Sequence, residues 1–413
     1  MPVELRGHAI EKHGQFRGSV IVDSLHVDKA VPAPRDGEPV GVRMGMRSIP
    51  YIPDGRRLVS NGFPPRTPRQ PMTLPSEFMV RAMRLLKPHS PLTLLQVPLA
   101  PPTDHEVLLE VAACGVCRTD LHLVDGELAQ AGYPVTPGHE IVGRVLARGP
   151  QVTGLELGER VGVPWLARSC GRCIHCRAGA ENLCDQPAFT GCNVDGGYAT
   201  HALADARFCL RIPARYGNAE AAPLLCAGLI GYRAYRACGD ASSLGLYGFG
   251  AAAHLLVQVA VAQGRRVSAF TRPGDVDGQD FARQLGVQWA GGSDQSPPQS
   301  LDAAIIFAPV GALVPAALAA VRKGGRVVCA GIHMSDIPAF PYSLLWGERA
   351  VSSVANLTRA DGHDFMQLAA QLPLRPAVEC FPLAEANMAL SRLRAGTLHG
   401  AAVLTMNARE FPP

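Results

Sequence analysis

Four closely spaced cysteines carry the plainest chemical signal in this chain: Cys170, Cys173, Cys176 and Cys184, in SCGRCIHCRAGAENLC. Two residues separate each of the first three, and seven separate the third from the fourth. Four thiolates at this spacing can surround one tetrahedral cation and leave no position open, which describes a closed structural zinc site. Disulfides are the competing reading. The first three cysteines lie too close for unstrained mutual pairing, and no secretory leader supports an oxidising destination.

A second set lies on either side of this lobe. Cys117 sits in ACGVCRTDLH, His139 and Glu140 in TPGHEIVG, and Cys226 in APLLCAGLIGY. Two thiolates, an imidazole and one free position would make a catalytic zinc site, open to water or a substrate oxygen. Spacing rules cannot gather ligands this far apart. Taken singly, each such Cys or His reads as a packed core residue.

A third signal is the turn Gly248-Phe249-Gly250-Ala251-Ala252-Ala253. It follows an apolar strand-like run and opens a helix-like one. Glycines there let the turn tighten and let backbone amides approach a pyrophosphate at the helix N-terminus, and Ala253 is permitted at the third position. The next strand ends in Phe270-Thr271-Arg272, with no acid to grip a ribose and repel a 2′-phosphate. Thr271 can donate a hydrogen bond and Arg272 can pair with phosphate. NADP(H) is therefore the expected cofactor, with NAD(H) as the alternative; Arg272 as a solvated loop charge is the bland reading.

These groups need elements to hold them. The chain has 413 residues, more than one core usually supports, so two domains are expected. A hydrophobic fraction of 47% and a charged fraction of 18% read as globular. A net charge of +4 does not argue for nucleic acid, and no run of eighteen apolar residues argues for a membrane span. Residues 1–78 are rich in Pro, Gly and Arg without a persistent period, and read as a disordered N-terminal extension. They are either a basic recruitment tail or the product of an upstream start, with the natural protein opening near Met79 or Met83. From there, short strands between Pro- and Gly-rich turns read as a compact β-rich domain over 79–232, with the metal lobe at 168–186. Residues 233–372 alternate strand and helix, which implies a parallel sheet wrapped on both faces. Residues 373–413 read as strand, helix and closing strand. Besides the metal-ligand candidates, Cys114, Cys192, Cys209, Cys238 and Cys329 read as buried free thiols.

Four motifs in order, CGVCRTDLH, PGHE, the four-cysteine lobe and GFGAAA, give Met83–Leu404 a resemblance to the zinc-dependent alcohol dehydrogenases of the medium-chain dehydrogenase superfamily. The chain most resembles bacterial members of the cinnamyl-alcohol-dehydrogenase-like branch. The resemblance implies a GroES-like β-barrel catalytic domain plus a Rossmann doubly wound parallel sheet, an α/β fold with a β-rich domain. It also implies that the C-terminal segment returns to the barrel. Cys117, His139 and Cys226 match the ligands of a catalytic zinc, and Glu140 matches a carboxylate that can approach the metal. Asp120 matches the group that orients the ligand imidazole. Thr119 matches the hydroxyl that bonds the alcohol, and His122 the end of a proton relay reached through the cofactor ribose. Arg118 matches a pyrophosphate contact. Trp165 matches a substrate-lining aromatic, and Leu128 stands where small-alcohol members carry a bulkier aromatic, which suggests a wider channel. An Arg that many members place near the C-terminus is missing from GTLHGAAVL, so the resemblance does not extend to that phosphate contact.

The expected protein is thus a cytoplasmic enzyme with two zinc ions per chain that interconverts primary alcohols and aldehydes. Its partners are small molecules, with no nucleic acid and no membrane. The resemblance implies a homo-oligomer, dimer or tetramer. A zinc-dependent polyol or amino-alcohol dehydrogenase and a catalytically silent cofactor-sensing homologue are the alternatives. A nucleic-acid-binding zinc module would need a basic, aromatic face around the lobe, and Glu181 and Asp185 interrupt one.

Overall fold

The computed structural model describes residues 78–398 and 400–406. Of the segment 1–78 only Phe78 lies among the described residues. Phe78–Arg84 is a strand antiparallel to Thr93–Leu99, with Val80, Ala82 and Met83 buried. A chain opened at Met83 would lose most of this strand, and one opened at Met79 would lose a single residue of it.

The strand Glu106–Val116 is the spine of the β-rich domain. Its run VLLEVAACGV is almost wholly buried, as expected of a strand covered on both faces. It pairs antiparallel with Ile141–Arg148 along its length, with His201–Asp205 at its first half and with Ala401–Thr405 at its second. Arg160–Val163, Leu210–Arg211 and Val378–Pro382 complete a seven-stranded sheet. The C-terminal strand, helix and strand are Val378–Pro382, Ala386–Ala395 and Ala401–Thr405, and they join this sheet as the resemblance implies. Phe381, Leu390 and Leu404 enter the same core as Met83, Leu109 and Val161.

The second sheet has six parallel strands: Ser243–Tyr247, Arg266–Thr271, Trp289–Gly292, Leu301–Ile306, Val321–Cys329 and Ala350–Ser353. Across the sheet they run third, second, first, fourth, fifth, sixth. This is the doubly wound order, which opens a crevice at the carboxyl end of the first strand, where the order reverses. All described cysteines are free thiols. Cys114, Cys192, Cys209 and Cys238 are buried as expected, Cys329 is half-buried, and Cys380 is exposed. Among the described residues no helix is long and apolar enough to cross a membrane.

The helix Ala251–Ala262 is apolar nearly all round and lies buried in the core, as its composition requires. It carries one fully buried histidine, His254, whose Nε2 accepts the Ala377 N–H at 3.2 Å. Burial lowers its pKa from 6.5 to about 4, against smaller opposing contributions from the Ala251 and Gly250 backbone. Below pH 6.5 the unfolded chain therefore binds a proton that the folded chain refuses. The stability contribution is complete above 6.5 and is lost as pH falls toward 4, in total about 3 kcal/mol. In His254→Gln, which keeps a neutral acceptor, chemical denaturation should show wild type losing up to about that much stability relative to the variant between pH 6.5 and 4. A constant difference across this range would refute the assignment.

Candidate functional site

The ligand candidates sit where elements end. Cys117 closes the spine strand and is the N-cap of the helix Arg118–Val124. His139 and Glu140 immediately precede the paired strand Ile141–Arg148, and Cys114 lies opposite Ile141 in the register. Cys226 precedes the helix Ala227–Ala237. Cys117 Sγ lies 3.1 Å from His139 Nε2 and 3.9 Å from Cys226 Sγ, and His139 Nε2 lies 3.4 Å from Cys226 Sγ. With a Glu140 carboxylate oxygen, all four ligand atoms lie within 4.8 Å of one another. Glu140 fits only because residue 115 is glycine: a Cβ there would stand 1.8 Å from its Oε2.

Asp120 joins the helix start to the imidazole. Its Oδ2 accepts the Cys117 N–H at 2.9 Å, one half of a capping box, and the Tyr198 hydroxyl at 3.1 Å. Its Oδ1 lies 3.5 Å from His139 Nδ1, which has no closer partner among the described residues. The acids of this pocket are almost fully buried. Burial, with the Cys117 charge beside it, pushes the Glu140 carboxyl well above its usual range. Hydrogen bonding to Cys117, then burial, raises the Cys226 thiol. Burial would raise Cys117 too, but the Cys226 hydrogen bond and the His139 charge bring it well below the ordinary thiol value. Without a cation this donor set keeps protons on some members because so much negative charge cannot share a dry pocket. Two sulfurs and an imidazole are the donors zinc prefers, and binding it would release those protons.

Thr119 and His122 lie three apart on one helix, hence on one face. The His122 Nδ1 is paired with the carboxylate of Glu127, whose side chain is 39% exposed. The His333 ring lies 5.1 Å from that of His122. Trp165 meets the His139 ring edge-on at 4.9 Å and stacks on Phe189. Leu128 is buried in the β-domain core. Arg118 is exposed.

In the second sheet, Gly248 has φ +90° and lies so close to Ala308 that a Cβ would approach within 2.8 Å. Gly250 caps the helix Ala251–Ala262 with no side-chain hydrogen bond and would project a Cβ into open space. Free amides facing an open cradle suit a pyrophosphate. Ala253 is fully buried. The Thr271 hydroxyl is buried and engaged within the protein, with the Arg272 and Gly291 carbonyls and the Gln279 amide as partners. Arg272 is exposed, and its guanidinium lies against Gly396 at the end of the helix Ala386–Ala395.

The sulfurs of Cys170, Cys173, Cys176 and Cys184 also lie within 4.8 Å of one another. Backbone amides point at them: Cys173 N–H to Cys170, Cys176 N–H to Cys173, and Gln186 N–H to Cys184, at 3.3–3.4 Å. The Arg172 and Cys173 amides lower the Cys170 thiol to about 6. Burial raises Cys184 to about 11.

Sequence reading missed Gly115, Glu127, Phe189, Tyr198 and His333. Gly115 lies inside the CGVCRTDLH motif and Glu127 five residues beyond His122, so these two stood near enough to a motif to be noticed.

Residues 103–214 match the alcohol dehydrogenase GroES-like domain. The protein named "Probable alcohol dehydrogenase AdhA" from Mycobacterium tuberculosis is 45% identical over 311 residues, 73% of this chain and 89% of that one. A solved cinnamyl alcohol dehydrogenase from Sorghum bicolor superposes with a TM-score of 0.75 at 26% identity, covering 81% of this chain and all of that one. An acetophenone reductase from Geotrichum candidum, solved with NAD, gives 0.73 at 27%, covering 81% and 99%. A GroES-like domain joined to a Rossmann domain, with one closed and one open metal-ligand set, defines a medium-chain zinc-dependent dehydrogenase. Within that class the chain belongs to the alcohol dehydrogenase family.

Two zinc ions per chain are expected by elemental analysis. Cys117→Ser should lose one of them and nearly all turnover with little change in melting temperature, since serine still caps the helix. Cys173→Ala should lose the other and melt markedly lower, because structural zinc contributes folding free energy. Equal stability losses in both variants would contradict the division of roles.

Proposed function

We propose that this protein interconverts primary alcohols and aldehydes with a nicotinamide cofactor, NADP(H) in preference to NAD(H). The observation that carries the reading is the convergence of Cys117, His139, Cys226 and Glu140 beside a helix face bearing Thr119 and His122. A zinc ion held by the first three would act as a Lewis acid that lowers the alcohol's pKa. A nicotinamide held at Gly248–Ala253, with Arg118 near its pyrophosphate, would supply the hydride acceptor.

The chain's own residues handle orientation and the proton. Thr119 accepts a hydrogen bond from the alcohol hydroxyl. Asp120 holds the rim of the site by fixing the Cys117 backbone and facing His139. Glu127 engages His122 at Nδ1, which leaves Nε2 as the nitrogen that takes up a proton. The exposed Glu127 carboxylate then opens the way to water, so one proton leaves per alcohol oxidised. Trp165, backed by Phe189, walls the pocket beside His139 and excludes water there.

Arg272 supports the NADP(H) preference: it is exposed at the end of the second strand with no acid beside it. A homo-oligomer is supported by the edge strand Ala350–Ser353, which is exposed at all four residues, with Tyr342 and Trp346 also exposed nearby. The cytoplasm is the proposed location, in keeping with the free thiols.

A panel of primary alcohols, polyols and aldehydes assayed with both cofactors tests the reading; turnover of polyols alone would overturn the substrate class. Arg272→Ala should weaken NADPH binding on the order of ten- to a hundredfold and leave NADH nearly unchanged. Equal effects on both would make Arg272 a solvated charge. Light scattering should give a mass of at least two chains, and a monomer would refute the edge-strand argument.

A further inference from the structure

The metal lobe is fastened to a place remote from its own sulfurs. Between Cys176 and Cys184 the chain makes a short helical turn, Glu181–Leu183, with Glu181 and Asn182 buried. The Asn182 Nδ2 donates to the Ala355 carbonyl at 2.7 Å. The Glu181 carboxylate accepts the Arg359 backbone N–H at 2.9 Å, its Nε–H at 2.7 Å and its Nη2 at 3.3 Å. Ala355 and Arg359 flank the stretch where the chain leaves the last Rossmann strand, Ala350–Ser353, and enters the helix Arg359–Gln371. Asn356 in that stretch has φ +56°, in the left-handed region where asparagine is enriched among non-glycine residues.

That helix leads back to the catalytic ligands. Gly362 packs on Leu210 of the β-domain, and Phe365 packs on Gly228 of the helix Ala227–Ala237. Asp361 caps its own helix with Thr358 and pairs with Arg233 and Arg236 of Ala227–Ala237, the helix that Cys226 precedes. Contacts therefore run without a break from the four-cysteine lobe through Glu181, Arg359, Asp361 and Arg233 to Cys226.

We propose that Glu181 and Arg359 are positioning residues: they strap the metal lobe to the crossing between the two sheets, and so set the cofactor crevice and Cys226 relative to each other. The lobe on this view does more than staple the β-domain. A charged pair held by three hydrogen bonds is the kind of contact that fixes a crossing in one arrangement. By reciprocity, whatever the strap contributes to cofactor binding, the bound cofactor returns to the lobe. The inference rests on the cofactor reading above.

Arg359→Ala tests it while leaving every lobe residue in place, and Glu181→Gln provides a second variant should the first fail to fold. Both should retain two zinc ions. Dissociation constants for NADPH and NADH should rise about threefold or more. Amide exchange over Val354–Thr358 should accelerate. In wild type, NADPH should slow alkylation of Cys170 and Cys173, followed by peptide mapping, and in the variants this protection should vanish. Unchanged cofactor affinity and exchange, with only a lower melting temperature, would overturn the proposal. If wild type binds neither cofactor, the functional reading fails instead, and the exchange measurement still decides the strap.

Discussion

The whole arrangement turns on charge crowding in a dry pocket. Cys117, Cys226, Glu140 and Asp120 can place four negative charges against a single imidazole, the two carboxylates almost fully buried and the two sulfurs partly so. Such a group of acids is tolerable only with a cation among them or protons left on some of them. The raised Glu140 and Cys226 and the lowered Cys117 are that compromise. The fold's task is to hold the acids together regardless. It uses the strongest local devices available: the buried end of the spine strand, a capping box, and a strand pairing that sets Cys114 beside Ile141.

The capping box shows how few residues this takes. Asp120 satisfies the Cys117 amide, begins the helix and faces the ligand imidazole. Thr119 and His122, the residues proposed to handle the proton, take their common direction from the helix period on either side of Asp120. Gly115 contributes by lacking a side chain. The second metal set follows another logic. Its sulfurs are gathered by sequence proximity and by backbone amides, and it needs no help from distant strands.

That contrast explains what the sequence disclosed. The lobe was readable from spacing because its ligands lie within fifteen residues of one another. The parallel sheet was readable because strand and helix alternate from Ser243 to Gln284, and it stayed readable although Trp289–Gly292 and Leu301–Ile306 follow one another with no helix between them. The open ligand set became readable only through resemblance, since nothing local in APLLCAG says that Cys226 meets Cys117. Tyr198 and Phe189 stayed hidden for the same reason: their contacts, with Asp120 and Trp165, join residues distant in sequence. Thr271 poses the opposite problem. Its position at the strand end suggested a cofactor contact, and its hydroxyl is spent on carbonyls of its own chain and the Gln279 amide. A polar residue at a strand end can serve the turn as readily as a ligand.

The pairing of Ala401–Thr405 with the end of the spine strand bears on how the protein is made. Ala402 stands opposite Val116, the residue before Cys117, so a strand far downstream in the sequence supports the first candidate ligand of the open site. A growing chain can close its four-cysteine lobe soon after Cys184 leaves the ribosome. The open site has no such opportunity, because its floor is not complete until Ala401–Thr405 has been made. The lobe's ligand set is therefore complete before that of the open site. A chain stopped short of Ala401 would carry a finished lobe and an unsupported Cys117.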